Sequence, residues 1–250
     1  MFKDYRVLAI IPARGGSKGL PEKNLRKIGG RTLVEWALFT AQGCPFLDRI
    51  IVSSDSKSII NKVNKHGLFA PFVRPSELAR DETPSLPVFQ HALNWAETED
   101  HCRYDYIVVL EPPCPFRLAE HIKKGLEIGI SSKATSVMSL VEVSDCHPVR
   151  IKRLLPDNSI KPFCMEEPEG LRRQEQEPAY IRNSAVYVFS RKIIVNNRLW
   201  GNKPYGFIME KSFYAINIDV ITDLYAATGL YKHLKRNGKL HYIDTKATAD

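Results

Sequence analysis

The chain has 250 residues, enough for one α/β domain with a sizeable buried core. Hydrophobic residues make up 44% and charged residues 26%, ordinary for a globular protein, and no apolar run approaches the roughly 18 residues of a membrane span. The net charge is +8, but Lys and Arg are spread along the chain with no dense basic tail, which argues against a nucleic-acid binder and suits a small polyphosphate or an acidic substrate.

The N-terminus, MFKDYRVLAII, carries an early acidic residue and no small-residue cleavage site, so it reads as a first strand rather than a signal peptide. RVLAIIPA predicts that buried strand. A glycine-rich loop follows, then a helix over 32–42, where Thr32 and Glu35 have capping-box spacing. DRIIVSSD predicts a second strand and 56–66 a helix stopped by Gly67. LFAPFVRP reads as a weaker third strand. A helix over 86–97 places Val88, Phe89, Ala92, Leu93 and Ala96 on one face. DYIVVLEP is a fourth strand, a helix follows Arg117, and ATSVMSLVEV is a fifth strand. From about 145 to 178 the pattern breaks into proline, glutamate and arginine, as in a loose insertion or an arm that packs on another subunit. AYIRNSAVYVFS and SFYAINID then read as strands, and 220–235 as a helix.

Strands alternating with helices predict an α/β fold, a Rossmann-like mostly parallel sheet with helices on both faces. Ligands of such sheets sit at the carboxyl ends of the strands. The loops there are 13–24, 53–56, 74–85 and 111–117.

The first of these loops, Ile11–Leu25, reads IPARGGSKGLPEKNL. Glycines admit backbone N–H groups close to an anion, and Arg14, Lys18, Lys23 and Arg26 would neutralise it. It is not a Walker loop, because Lys18 is followed by Gly19. Nor is it a dinucleotide fingerprint, for which Gly15, Gly16 and Gly19 are misplaced. Five cysteines, Cys44, Cys102, Cys114, Cys146 and Cys164, include no C-x-x-C pair, so neither a zinc site nor a disulfide framework is expected, and reduced thiols in a cytoplasm are. His91 and His147 lack partners at metal or triad spacing and read as structural or surface residues.

With these residues on the page, the chain resembles the acylneuraminate cytidylyltransferases, the CMP-sialic acid synthetases, and their legionaminic and pseudaminic acid relatives. The loop matches A-R-G-G-S-K-G-x-P-x-K-N. DRIIVSSD, RPSELARDETPS, LEPPCPFR, LRRQEQEPAYIRNSAVYVF and INID match further segments in order, over about 7–224. The resemblance implies a single nucleotidyltransferase domain over 1–250, of nucleotide-diphospho-sugar transferase type, with a protruding dimerisation arm at about 145–180. It implies transfer of CMP from CTP to a 2-keto-3-deoxy sugar acid, releasing pyrophosphate, with Mg²⁺ or Mn²⁺ as cofactor. The expected partners are CTP, an acidic nine-carbon (or eight-carbon) sugar and a second copy of the chain, with neither nucleic acid nor membrane.

The resemblance also implies site residues. Ala13, Arg14, Gly15, Ser17, Lys18, Asn24, Arg74 and Ser85 would bind the nucleotide. Lys23, Arg173 and Asp219 would be catalytic. Glu111, Gln174, Tyr180 and Asn183 would face the sugar. Plainer readings remain beside these: Ser85 as a helix N-cap, Asp81 as a turn carboxylate, Glu111 as a strand-end residue, and Tyr180 as packing. Two departures stand out. Asn217 occupies the first position of the family's D-I-D, leaving Asp219 as the main metal ligand because an amide lacks the charge a hard cation prefers. Glu111, Pro112, Pro113 and Cys114 replace a Q-P-T-S type run, which leaves the sugar open among sialic, legionaminic, pseudaminic and Kdo-type acids. The contrasting expectation is a non-catalytic nucleotide or sugar binder of the same fold.

Overall fold

The computed structural model of the chain describes residues 1–143, 146–166, 168–170, 172–209 and 216–238. In chain order the strands are β1 (Val7–Pro12), β2 (Lys27–Ile28), β3 (Arg31–Thr32), β4 (Arg49–Ser53), β5 (Tyr106–Val109), β6 (Ser136–Val143), β7 (Lys152–Leu154), β8 (Ile160–Pro162), β9 (Ala179–Ser190) and β10 (Pro204–Ile208). The helices are α1 (Leu33–Gln42), α2 (Lys57–Asn64), α3 (Ser85–Glu99), α4 (Ala119–Ser131), α5 (Arg191–Val195) and α6 (Ile221–Arg236).

Six strands form the central sheet in the order β10-β6-β9-β5-β1-β4. All run parallel except β9, which pairs antiparallel with both β5 and β6. The strands are apolar on both faces because both faces are covered. Alternation within β1 sends Val7 and Ile11 to the core under α1, α2 and α4, and Leu8 and Ile10 to the core under α3 and α5. A full burial of each such side chain contributes roughly 1.5–3 kcal/mol.

A third, smaller core holds the site together. Leu20 of the glycine-rich loop, Trp36 of α1, Phe116, Ile218 and Tyr231 of α6 pack in one cluster. Tyr231 lies edge-on to Trp36 at 5.8 Å and under the β2–β3 turn, where Gly29 has φ +60°. A Cβ on Gly29 would fall 2.1 Å from the Tyr231 ring. The 13–26 loop and the 216–219 stretch therefore share one apolar floor.

The capping box at Thr32 forms as expected: Glu35 N donates to Thr32 Oγ1, and Thr32 N donates to Glu35 Oε2. Three expectations fail. No strand forms over 68–75; its backbone bonds to β4 and the residue after it are Val52 N to Phe69 O and Arg74 N to Ser54 O, too few for a ladder because Pro71 and Pro75 lack donors. Ser85 is not the N-cap of α3; Pro84 holds that position and Ser85 is the first helical residue. Residues 216–219 are not a strand, while 212–215, the remainder of the expected SFYAINID strand, lie outside the described residues. The expected arm leaves β6 and returns on β9. Within it β7 and β8 form an antiparallel hairpin.

Among the described residues no helix is long and apolar enough to cross a membrane.

Candidate active site

Because β1, β4, β5 and β6 are parallel and β9 runs against them, the carboxyl ends of the first four and the amino end of β9 meet on one edge. A cleft of about 230 Å³ opens there, lined by Arg14, Lys23, Asn24, Arg74, Asp81, Ser85 and Glu111 with Pro112 and Pro113. Six of the residues expected from the motifs thus converge from three separate loops: Arg14, Lys23, Asn24, Arg74, Ser85 and Glu111.

Lys23 crosses toward the last segment. Its Nζ donates to Asp219 Oδ1 at 2.8 Å, with the lysine side chain 17% exposed and the aspartate 60% exposed. Asp219 Oδ2 accepts from the Asn217 amide at 2.6 Å. The two side chains face each other although they lie on extended coil. Asn217 Oδ1 is in turn 3.5 Å from the Cys114 thiol. Gly19 permits this closeness: a Cβ there would lie 2.6 Å from the Asp219 carbonyl oxygen, a backbone atom that cannot step aside. Gly19→Ala is expected to push the Asp219 stretch off the loop, costing about 1–3 kcal/mol of stability. A thermal melt of the variant checks this.

Asn24 is buried, its amide donating to Arg14 O at 2.9 Å. Its Oδ1 is buried with no partner among the described residues, an acceptor suited to a ligand donor. Arg14 pairs with Asp81 at 2.7 Å and Lys18 with the same carboxylate at 3.2 Å. These cations hold the Asp81 carboxyl below its ordinary value, the Lys18 hydrogen bond acting most strongly. Arg74 is buried, its Nε donating to Ser53 Oγ at 3.0 Å and its Nη2 to Ser53 O. Burial lowers its pKa to about 10, which still leaves it charged at neutral pH. Burial pushes the Glu111 carboxyl up, against the pull of Arg117 and Lys23.

Other expected residues lie elsewhere. Ala13 is buried just past β1 and donates its N–H to Ser53 O, so that donor serves the pairing with β4 instead of the cleft. Gly15 donates its N–H to Asp55 Oδ1 at 2.9 Å. Ser17 is half-buried on the loop but does not line the cleft. Asn183 was expected to face the sugar. It is interior instead: Oδ1 accepts from Ser139 Oγ at 2.6 Å, and Nδ2 approaches Met209 Sδ at 3.3 Å. It lies in the irregular stretch of β9 where the register with β6 shifts between Met138 and Leu140. Tyr180 is exposed near the start of β9, and Gln174 is exposed on the turn Arg173–Glu175. Neither lines the cleft. The side chain of Arg173 lies outside the described residues.

Sequence reasoning assigned no role to Arg117. It is fully buried and its Nη2 donates to Glu111 O and, at 2.6 Å, to Cys114 O, cinching the 111–114 loop from below. Pro113 O then accepts from Ile218 N at 3.0 Å, so the loop also sets the height of Asp219. The available signal was a lone arginine between apolar Phe116 and Leu118 directly after a strand-end loop. Cys114 is buried in this loop, donating to Asn183 O at 2.8 Å, and burial pushes its thiol up to about 12, which suits packing and not nucleophilic attack.

Among the described residues no group of three or more His, Cys, Asp or Glu is placed to hold a metal. Asp219, Asn217, whose amide oxygen is turned toward the Cys114 thiol, and Glu111 of the cleft offer hard oxygen donors around Lys23. That set fits Mg²⁺, which is held by one or two carboxylates with substrate phosphates completing its shell.

A family model described as Cytidylyltransferase matches residues 8–224. The CMP-N,N'-diacetyllegionaminic acid synthase of Legionella pneumophila is 30% identical over 223 residues, covering 87% of this chain and 93% of that protein. The pseudaminic acid cytidylyltransferase of Campylobacter jejuni is 29% identical over 231 residues, covering 90% of this chain and 96% of that one. The structure of a CMP:2-keto-3-deoxy-manno-octonic acid synthetase complexed with CTP superposes with a TM-score of 0.65 at 14% identity, over 91% of this chain and 99% of that chain, which is a likeness of fold.

Proposed function

This chain belongs to the cytidylyltransferase family, and from that premise we propose that it transfers CMP from CTP to a nine-carbon 2-keto-3-deoxy sugar acid, with pyrophosphate as the second product. The observation that carries this reading is the convergence of Arg14, Lys23 and Asn24 from the glycine-rich loop with Asp219 at the carboxyl edge of the sheet. The sugar class is supported by the relatives, whose names specify legionaminic and pseudaminic acids.

In this mechanism Arg14, Lys18 and Lys23 hold the triphosphate and spread its charge. Asn24 offers its unpartnered oxygen to the nucleotide, and Arg74 and Ser85 wall its slot. The anomeric hydroxyl of the sugar attacks the α-phosphorus, a new oxygen–phosphorus bond forms, and the bond to the β-phosphate breaks. Lys23 neutralises the charge that develops on the departing pyrophosphate. The hydroxyl proton is lost in the same step, and Glu111 is the cleft carboxylate on the sugar side that can accept it. Mg²⁺ bound by Asp219, with Asn217 as a weaker neutral donor, supplies further neutralisation of the phosphates when present.

The arm supports a homodimer. Leu154, Ile160 and Phe163 on and beside its hairpin are 68%, 63% and 56% exposed, and an isolated two-stranded hairpin is marginal without a surface to cover it. In the dimer Arg173, Gln174 and Tyr180 would come to the partner's sugar. The five free cysteines fit a reducing cytoplasm.

A second reading, a binder without turnover, has Asn217 in its favour, since its amide occupies Asp219 Oδ2 where a second charge would strengthen a cation site. Pyrophosphate release with CTP, Mg²⁺ and a panel of N-acetylneuraminate, legionaminate, pseudaminate and Kdo separates the two. Release with one sugar is the expected result. CTP binding without release on any of them would leave the binder.

A further inference from the structure

We propose that Asp81 is a placeholder for the nucleotide's phosphates, a specificity-determining residue whose carboxylate a polyphosphate must displace. The inference rests on the reading of Arg14 and Lys18 as phosphate-binding cations and deepens it.

The geometry is that of a small chelated anion. Asp81 Oδ1 lies 2.7 Å from Arg14 Nη1 and Oδ2 lies 3.2 Å from Lys18 Nζ, so each oxygen serves one cation, as two phosphate oxygens would. Asp81 and Arg14 line the same cleft, one from the 74–85 loop and the other from the glycine-rich loop. Arg14 Nη1 also reaches Arg80 O at 3.4 Å, beside Asp81 in the chain. Among the described residues no other carboxylate is paired with either cation. Both pairs are solvent-exposed, with Lys18 80% exposed, so each is individually weak and readily exchanged.

Two consequences follow from charge alone. A ligand with several negative charges competes for Arg14 and Lys18 and turns Asp81 aside; a neutral nucleoside does not. After reaction, Asp81 returning to the two cations helps expel pyrophosphate. The carboxylate thus lowers affinity for polyphosphates by competing for the two cations. A purely structural tie predicts the opposite sign, because cutting it would scatter Arg14 and Lys18 and weaken binding.

The test is calorimetric titration of the full chain and its Asp81→Asn and Asp81→Ala variants with inorganic pyrophosphate, CTP and cytidine, at low and high salt. The expected result is pyrophosphate and CTP binding tighter by up to about tenfold in both variants, with the gain shrinking at high salt and cytidine unchanged. Unchanged or weaker pyrophosphate binding in the folded variants overturns the placeholder. Thermal melts identify a variant that fails to fold, and the remaining one then decides. Failure of the unmodified chain to bind CTP would sink the functional reading separately, since pyrophosphate alone still tests Asp81 against Arg14 and Lys18.

Discussion

Replacing Lys23 with alanine is expected to lower the rate of CMP transfer by about 10²–10³-fold, the cost of removing one preorganised group from the place where charge develops. The position explains the size. Lys23 is largely shielded from solvent and lies in the cleft beside Asn24 and Glu111, so its field is little weakened by water. Two other cations of the loop, Arg14 and Lys18, would remain to hold the triphosphate in its ground state. CTP affinity, measured by titration without sugar, should therefore fall much less than the turnover rate, the mark of an interaction made chiefly in the transition state. Lys23→Arg keeps the charge but replaces a compact ammonium with a planar fork and should recover only part of the rate. An equal fall in affinity and turnover would assign Lys23 to simple binding.

The sheet and the glycine-rich loop were legible because their signals are local. β1, β4 and β5 are apolar runs that end in polar loops, and buried parallel strands read that way. The expected strand over 68–75 failed because apolar content was weighed above two prolines that break any ladder. β2, β3 and β10 escaped notice because two-residue pairs and PYGFI carry no periodicity long enough to register. Within the site, motif order brought Arg14, Lys23 and Asn24 to the cleft and Asp219 to Lys23. It misplaced Asn183, since a motif marks a residue as constrained without saying whether the constraint is a ligand or, as here, Ser139 and Met209 behind it. The role of Arg117 is a tertiary property. Its apolar neighbours Phe116 and Leu118 mark burial, but they do not say which carbonyls the guanidinium will hold.

Asp219→Asn is the second large effect, and its logic depends on Asn217. In this chain the pair facing Lys23 carries one negative charge, all of it on Asp219. Removing it leaves two amides, an ammonium that has lost its 2.8 Å partner, and Glu111, whose carboxyl burial pushes toward its neutral form, as the acidic donor for a cation near that corner. Turnover is expected to fall by about 10²–10³-fold, and the Mg²⁺ concentration needed for half-maximal CTP binding should rise. The loss should not add to that of Lys23→Ala, because each variant already breaks the 2.8 Å contact; a double-mutant cycle reads that coupling. Moving the charge is the sharper test. Asn217→Asp combined with Asp219→Asn restores one carboxylate two residues away, on the side chain that already touches its neighbour at 2.6 Å. If the requirement is for a charge at this corner, that double variant regains part of the activity and of the Mg²⁺ dependence. If it stays as inactive as Asp219→Asn, the requirement is for the Lys23 contact itself, and the cation is held by other oxygens. Asn217→Asp alone distinguishes the same alternatives from the other side: a second charge should lower the Mg²⁺ requirement in the first case and leave it unchanged in the second.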